Sequence, residues 1–310
     1  MTLAHWDDVV RERRDVGDMR SWWRDLGAAA GSTAVSVQRI EIDPGARAGP
    51  VHVHAEEEEI FHVLDGAGLA WLDGAVHEIG RGDTIVCQAG GQEHTLLAGP
   101  GGLDVLAFGE NLDPPLVHLP RARVLRRGGL WTEAGTGDPL EREAAAGPLA
   151  PPAPSPRPDC IVALDDVEPE SEARGEFATT ERDLGRAAGS VSTGLRHAVL
   201  PPGKSGCPPH WHSAEHELFV ILEGGGTLEL YDRAGQVAEE HALRAGHVVS
   251  RPAGSGLAHM LRAGDSGMTY LPYGMRRPNE IVFYPRSRKA WVGQVMVRFD
   301  VVTDYWEGEA

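Results

Sequence analysis

Three things are scarce in this chain of 310 residues: cysteine, basic charge and long apolar runs. The three cysteines, Cys87, Cys160 and Cys207, are scattered and form no Cys-x-x-Cys spacing. That excludes a disulfide framework and a thiolate zinc site, and leaves three reduced thiols. Lys and Arg number 29 against 46 Asp and Glu, a formal charge of −17. Such a surface is poorly suited to displacing counterions from nucleic acid or an anionic membrane. An anionic small molecule stays open as a partner, because one arginine in a pocket binds a carboxylate whatever the total charge. No apolar run reaches the roughly 18 residues of a membrane span. The N-terminus, Met1-Thr2-Leu3-Ala4-His5-Trp6-Asp7-Asp8, carries acids where a signal peptide carries basic and apolar stretches. The expectation is a cytoplasmic protein with a small-molecule ligand and no nucleic-acid or membrane partner.

What is present is a repeat. Asp7-Asp8-Val9 returns as Asp165-Asp166-Val167, and Arg24-Asp25-Leu26-Gly27 as Arg182-Asp183-Leu184-Gly185, a constant offset of 158. His52, His54, Glu59 and Gly66 keep that offset against His210, His212, Glu217 and Gly224. The register slips to 164 at Gly82 and Gly246, and to 165 at His94 and His259. The six residues gained by Gly246 fall around Tyr231–Gln236, a hairpin tip, where insertion is tolerated. Two copies of one domain follow, 1–140 and 159–310. Between them, 141–158 is proline-dense and reads as an extended linker.

Short alternating runs such as Val35–Ile42, punctuated by glycine, predict strands of a small antiparallel barrel or sandwich. Only the leading segments, about residues 6 to 29 and their counterpart, have any claim to helix. Within a strand, residues two apart share a face about 6.7 Å apart, so His52 and His54 can converge on one ion, as can His210 and His212. Glu59 is five residues beyond His54, an odd step that demands a turn in Ala55-Glu56-Glu57-Glu58. His94 and His259 supply a fourth ligand to each set. Glu56, Glu57 and Glu58 read as a solvated acidic turn, Cys207, Trp71 and Trp211 as structural, and Arg276, Asn279 and Arg286 as residues that close the fold.

These residues together resemble the cupin superfamily, whose first motif runs His-x-His, three or four residues, Glu, six residues, Gly. The second motif is similar to Gly246…Pro252-Ala253-Gly254…His259, whereas the first half has Gln88 where the family has proline. The tail through Tyr273–Ser287 resembles that of a group of bacterial bicupins. The resemblance implies an all-β fold of two tandem double-stranded β-helix (jelly-roll) barrels with short helical leading segments. It also implies a divalent transition metal (Fe, Mn, Ni, Co, Cu or Zn), up to one per domain, on His52, His54, Glu59 and His94 and on His210, His212, Glu217 and His259. A homodimer is compatible with it.

Four protein ligands in an octahedral site leave two adjacent positions for a bidentate substrate, or for substrate and dioxygen. By resemblance to two-cupin dioxygenases, the first expectation is oxidation of a small enol, phenol or keto acid, with Glu59 or Glu217 accepting a proton. Isomerisation or decarboxylation, as in oxalate-decarboxylase-like bicupins, and ligand binding without catalysis are the alternatives. The second half, which keeps the Pro252-x-Gly turn, is the expected reaction site.

Overall fold

Alternation along the long strands gives each half two apolar faces, and the chain uses both. In the computed structural model, which describes residues 3–112, 115–127, 130–132, 138–299 and 306, each half is an antiparallel jelly roll of a large and a small sheet. The large sheet of the first half centres on Glu59–Leu72, flanked by Asp83–Cys87 and His94–Glu110, and continues through Val35–Ile42 and Met19–Asp25 to Glu12–Val16. Its small sheet contains Val53–His54 paired to Leu116–Leu119. The second half repeats this around Glu217–Tyr231 and Ala258–Met275, with Trp211–His212 in its small sheet. The inserted residues do lie at the Tyr231 hairpin, where the pairing of Glu217–Tyr231 with Val237–Arg244 shifts register.

Inward-facing Ile40, Phe61, Val63, Ile85, Leu96 and Val105 form the first core. Outward-facing Val37, Ile60, Val86, Leu106 and Phe108 pack against Leu195, Leu218, Val220, Leu271 and Tyr273 of the second half in one continuous cluster. Full burial of each such side chain contributes on the order of 1.5–3 kcal/mol, so the interface is a second core rather than a loose contact. Each half also lends the other an edge strand. Leu3–His5 pairs with His247–Val249, and Ile161–Ala163 pairs with Asp83–Ile85.

The leading segments are largely strand. Glu12–Val16 and Met19–Asp25 form a hairpin, and helix is confined to one turn, Leu26–Ala29, matched by Leu184–Ala187. The repeated Arg-Asp-Leu-Gly explains that turn. Asp25 and Asp183 cap it through Ala28 N and Arg186 N, both at 2.9 Å. Gly27 and Gly185 let it press on the next strand, since a Cβ there would come within 2.9 Å of Val37 N and 2.8 Å of Leu195 N.

The segment expected to be an extended linker begins as a helix, Pro139–Ala145, because a buried ion pair overrides its loop-like composition. Arg47 donates to Glu143 at 2.7 Å and to Asp18 at 2.8 Å, with Glu143 wholly buried. Only beyond it does the proline-rich stretch run extended, tied down by Arg157 on Asp83.

His62 lies on the face turned toward the second half. Its Nδ1 shares a 2.9 Å hydrogen bond with Thr84, and burial, then the neighbouring His197, pushes its pKa down to about 3. Folded His62 therefore stays neutral where the unfolded residue, with a pKa of about 6.5, takes up a proton. The unfolded state binds more protons, so stability falls as pH drops from about 6.5 toward 3. This residue is expected to cost about 2 kcal/mol between pH 7 and about 5. Urea denaturation of the parent and His62→Gln at the two pH values checks it; an equally steep loss in the variant would contradict it.

Candidate metal centre

Bend geometry at Ala55 and Glu56 brings Glu59 back to the histidine face, as the odd spacing requires. His54 belongs to the small sheet and Glu59 begins the central strand of the large one, so the site lies between the sheets. His52 and His94 are held opposite each other by reciprocal backbone bonds, His52 N to His94 O at 3.1 Å and His94 N to His52 O at 2.8 Å. Three imidazole Nε2 atoms converge on Glu59 Oε2: His94 at 2.9 Å, His52 at 3.2 Å and His54 at 3.7 Å.

Their outer nitrogens are all engaged. His52 Nδ1 lies 3.0 Å from Pro50 O, His94 Nδ1 2.9 Å from Gln92 O, and His54 Nδ1 2.9 Å from Glu57 Oε2. A carbonyl or carboxylate oxygen only accepts, so each Nδ1 carries its hydrogen, and in the neutral ring that a metal requires each Nε2 turns a lone pair toward an anionic oxygen. Acceptors facing an acceptor need a cation between them, and a divalent ion with nitrogen and oxygen ligands fits.

The second half repeats the pattern. His212 and His259 Nε2 each lie 3.2 Å from Glu217 Oε2, and His210 Nδ1 is 2.9 Å from Pro208 O. Ring spacings match between halves: 4.4 Å for His52 to His94 and 4.5 Å for His210 to His259. Both His212 nitrogens, His259 Nε2 and Glu217 Oε2 are buried without hydrogen-bond geometry to any partner. Orphaned polar atoms of this kind cost about 1–3 kcal/mol each, and an ion among them would remove much of that cost. All eight residues singled out in the sequence thus come together as two sets of four. His52, His54 and Glu59, and His210, Glu217 and His259, have ligand atoms within 4.8 Å of one another.

Electrostatics reinforce this. Burial alone would raise the Glu59 carboxyl, but His52 and His94 hold it well below the usual carboxylate range, and His212 and His259 do the same for Glu217. Burial and then His210 push His259 down to about 3. His212 goes the other way, up to about 9, because Glu217 and Glu280 outweigh its burial.

The acidic run is not a solvated turn. Only Glu56 is exposed; Glu57 orients His54 and accepts from Leu112 N at 2.7 Å. Glu58 is 2% exposed and reaches into the second half, accepting from the backbone N–H groups of Val191, Ser192 and Thr193 and the hydroxyls of Ser190, Ser192 and Thr193. The sequence held only a faint signal: the counterpart of Glu58 is His216, while Glu57 and Glu59 keep glutamates at Glu215 and Glu217. The remaining residues behave structurally. Trp211 stacks on Phe283, Arg276 donates to Ser190 O, and Arg286 pairs with Glu176. Cys207 Sγ lies 3.6 Å from His210 Nδ1.

Access separates the two sites. A cavity of about 590 Å³ opens onto His52, His54 and Glu59, walled by Ile40, Phe61, Leu96 and Val117. The recess beside His212, Glu217 and His259, lined by Arg251 and Pro252, leaves essentially no room for a molecule the size of water. A separate 470 Å³ hollow near Cys207 is lined by none of the four histidine and glutamate residues of the second set. The open cavity thus lies in the first half rather than in the half expected to hold the reaction site. The Pro252 turn keeps the family's loop shape, but it helps to close the site it belongs to. Arg251 stands where the first half has Cys87: Glu217 faces Arg251 in the sheet as Glu59 faces Cys87.

Two jelly rolls in one chain, each with a His-x-His strand, a returning glutamate and a later histidine, define a bicupin. The profile described as Cupin domain matches residues 38–106 and 196–271, and the chain belongs to the cupin superfamily as a two-domain member. No curated protein matches the chain. Among solved structures, oxalate decarboxylase from Bacillus subtilis at pH 4.6 aligns with a TM-score of 0.60 at 16% identity, over 88% of this chain and 75% of that one. The Lactobacillus farciminis oxalate decarboxylase formate complex aligns with a TM-score of 0.61 at 16% identity, over 89% and 86%. At such identities the likeness establishes the fold alone. No helix among the described residues is long and apolar enough to cross a membrane.

Proposed function

We propose that this bicupin is a metal-dependent enzyme that oxidises a small organic molecule in its first domain, in the manner of a dioxygenase. The observation that carries the reading is the 590 Å³ cavity opening onto His52, His54 and Glu59, beside a second set of residues with no comparable space. A divalent ion on His52, His54, Glu59 and His94 would supply Lewis acidity and a redox centre. The protein's own groups fix the ligands, exclude water with apolar walls and orient the substrate. Glu59, held anionic, would accept a proton only from a strongly acidified substrate group. Glu217 and its histidines, closed in by Arg251, serve as a structural metal site.

Oxidation is favoured over decarboxylation or isomerisation because those reactions need a free acid to return a proton to carbon. The cavity's carboxylates are all engaged: Glu57 and Glu59 with imidazoles, Glu58 and Glu110 with Ser192, and Asp138 with the N–H groups of Leu140 and Glu141. Oxygen-electrode measurements with a panel of enols, phenols and keto acids should show substrate-dependent uptake that His52→Ala/His54→Ala abolishes. Carbon dioxide release without oxygen uptake would establish the decarboxylase alternative instead, and specific binding without turnover would make the chain a sensor or carrier.

A further inference from the structure

Arg14 is the unsatisfied charge of the first cavity. It sits on the strand Glu12–Val16 and projects diagonally across the hairpin, its guanidinium carbon 3.5 Å from the Trp23 ring centroid. That platform is itself fixed, since Trp23 Nε1 donates to Ser21 Oγ at 2.8 Å and Ser21 Oγ donates to Ala48 O at 2.8 Å. Both Arg14 and Trp23 line the cavity. Neighbouring Arg13, pointing the other way, is paired with Asp15 and Asp43. Arg14 has no ion pair or hydrogen bond among the described residues, while the five carboxylates that line the same cavity are engaged elsewhere. Burial lowers its pKa to about 10, with the charge of Glu12 opposing the shift and the guanidinium of Arg126 adding to it, so it stays charged at neutral pH.

We infer that Arg14, stacked on Trp23, is the anchor for a substrate carboxylate, and that the first cavity takes a monocarboxylic acid with an apolar body. A half-buried guanidinium without a direct ion pair is costly, and stacking leaves its planar fork free for bidentate recognition of a carboxylate. A carboxylate suits this site better than a phosphate, because a dianion would meet the field of Glu57, Glu58, Glu59, Glu110 and Asp138. The apolar body fits between Ile40, Phe61 and Val117, in a space of ordinary ligand-pocket size. This assignment rests on the first domain being the reaction site.

The test is calorimetric titration of the metal-loaded protein with benzoate, 3-phenylpropionate and 4-methylpentanoate, each against its neutral amide. At least one acid should bind roughly tenfold more tightly than its amide, which is about 1.4 kcal/mol. Arg14→Gln should remove that preference with metal content and near-ultraviolet circular dichroism unchanged, Arg14→Lys should keep part of it, and Trp23→Leu should weaken it. The metal-site variant His52→Ala/His54→Ala should still prefer the acid. This last arm separates the assignment from the enzyme reading, because it reads Arg14 without turnover or metal. Equal binding of every acid and amide, a preference that survives Arg14→Gln, or tighter binding of phenyl phosphate would overturn the assignment.

Discussion

Elemental analysis of the purified, metal-loaded chain should find two divalent ions, one in each domain, and His52→Ala/His54→Ala should retain one of them. His210→Ala/His212→Ala should also retain one, and the combined variant none. The grounds differ between the halves: in the first, neutral imidazoles with their hydrogens spent on outer partners face one carboxylate oxygen, and in the second, both His212 nitrogens, His259 Nε2 and Glu217 Oε2 are buried without partners. The consequences for turnover differ. Loss of the first ion should remove activity altogether, while loss of the second should spare it, because the substrate cavity reaches only the first set. A milder variant probes the outer partner. Glu57→Gln keeps the size of the group that orients His54 but loses its charge, and should weaken metal binding at the first site by about 10–100-fold. Full metal content in both double variants would refute the ligand assignment.

The largest loss of stability should come from Glu58. Its carboxylate is buried at the interface and takes hydrogen bonds from three consecutive backbone N–H groups and three hydroxyls of the other half. Burial opposes its ionisation, yet those donors hold its pKa below the usual range. Glu58→Ala leaves that concentration of donors buried and unpaired, a change that costs about 3–5 kcal/mol. Glu56→Ala, two residues away and exposed, should stay within about 0.5 kcal/mol of the parent. Guanidinium denaturation midpoints of the two variants make the comparison, and a Glu58→Ala midpoint equal to that of the parent would refute it.

The two histidine–glutamate clusters were legible because strand periodicity, an odd spacing and a second copy all constrained the same residues. His94 and His259 could be placed despite the insertion, since six of the seven added residues fall within one hairpin and the seventh just before His259. Glu58 was not legible by the same means. Four consecutive glutamates look solvated, and the partners of Glu58 lie more than 130 residues away, in a loop that carries no motif of its own. Arg14 was hidden for a different reason. Its segment has no clear alternation, and the counterpart in the second half is Glu172, so the repeat offered no support. Openness of the two sites was also beyond reach, because ligand identity is the same in both, and what lines the closed one is a buried arginine across the sheet from its glutamate.

The exchange of edge strands bears on how such a duplication can be inherited. Leu3–His5 completes a sheet that begins beyond residue 170, and Ile161–Ala163 borders a strand near residue 85. Each half's sheet is bordered by a strand from the other half's stretch of chain, so neither half is a self-contained module. A gene fragment carrying one copy alone would encode a domain with an unpaired sheet edge and a bare apolar face, two features that promote aggregation. Once the strands had crossed, the pair could diverge in chemistry, one site open and the other sealed, but the two could no longer part company.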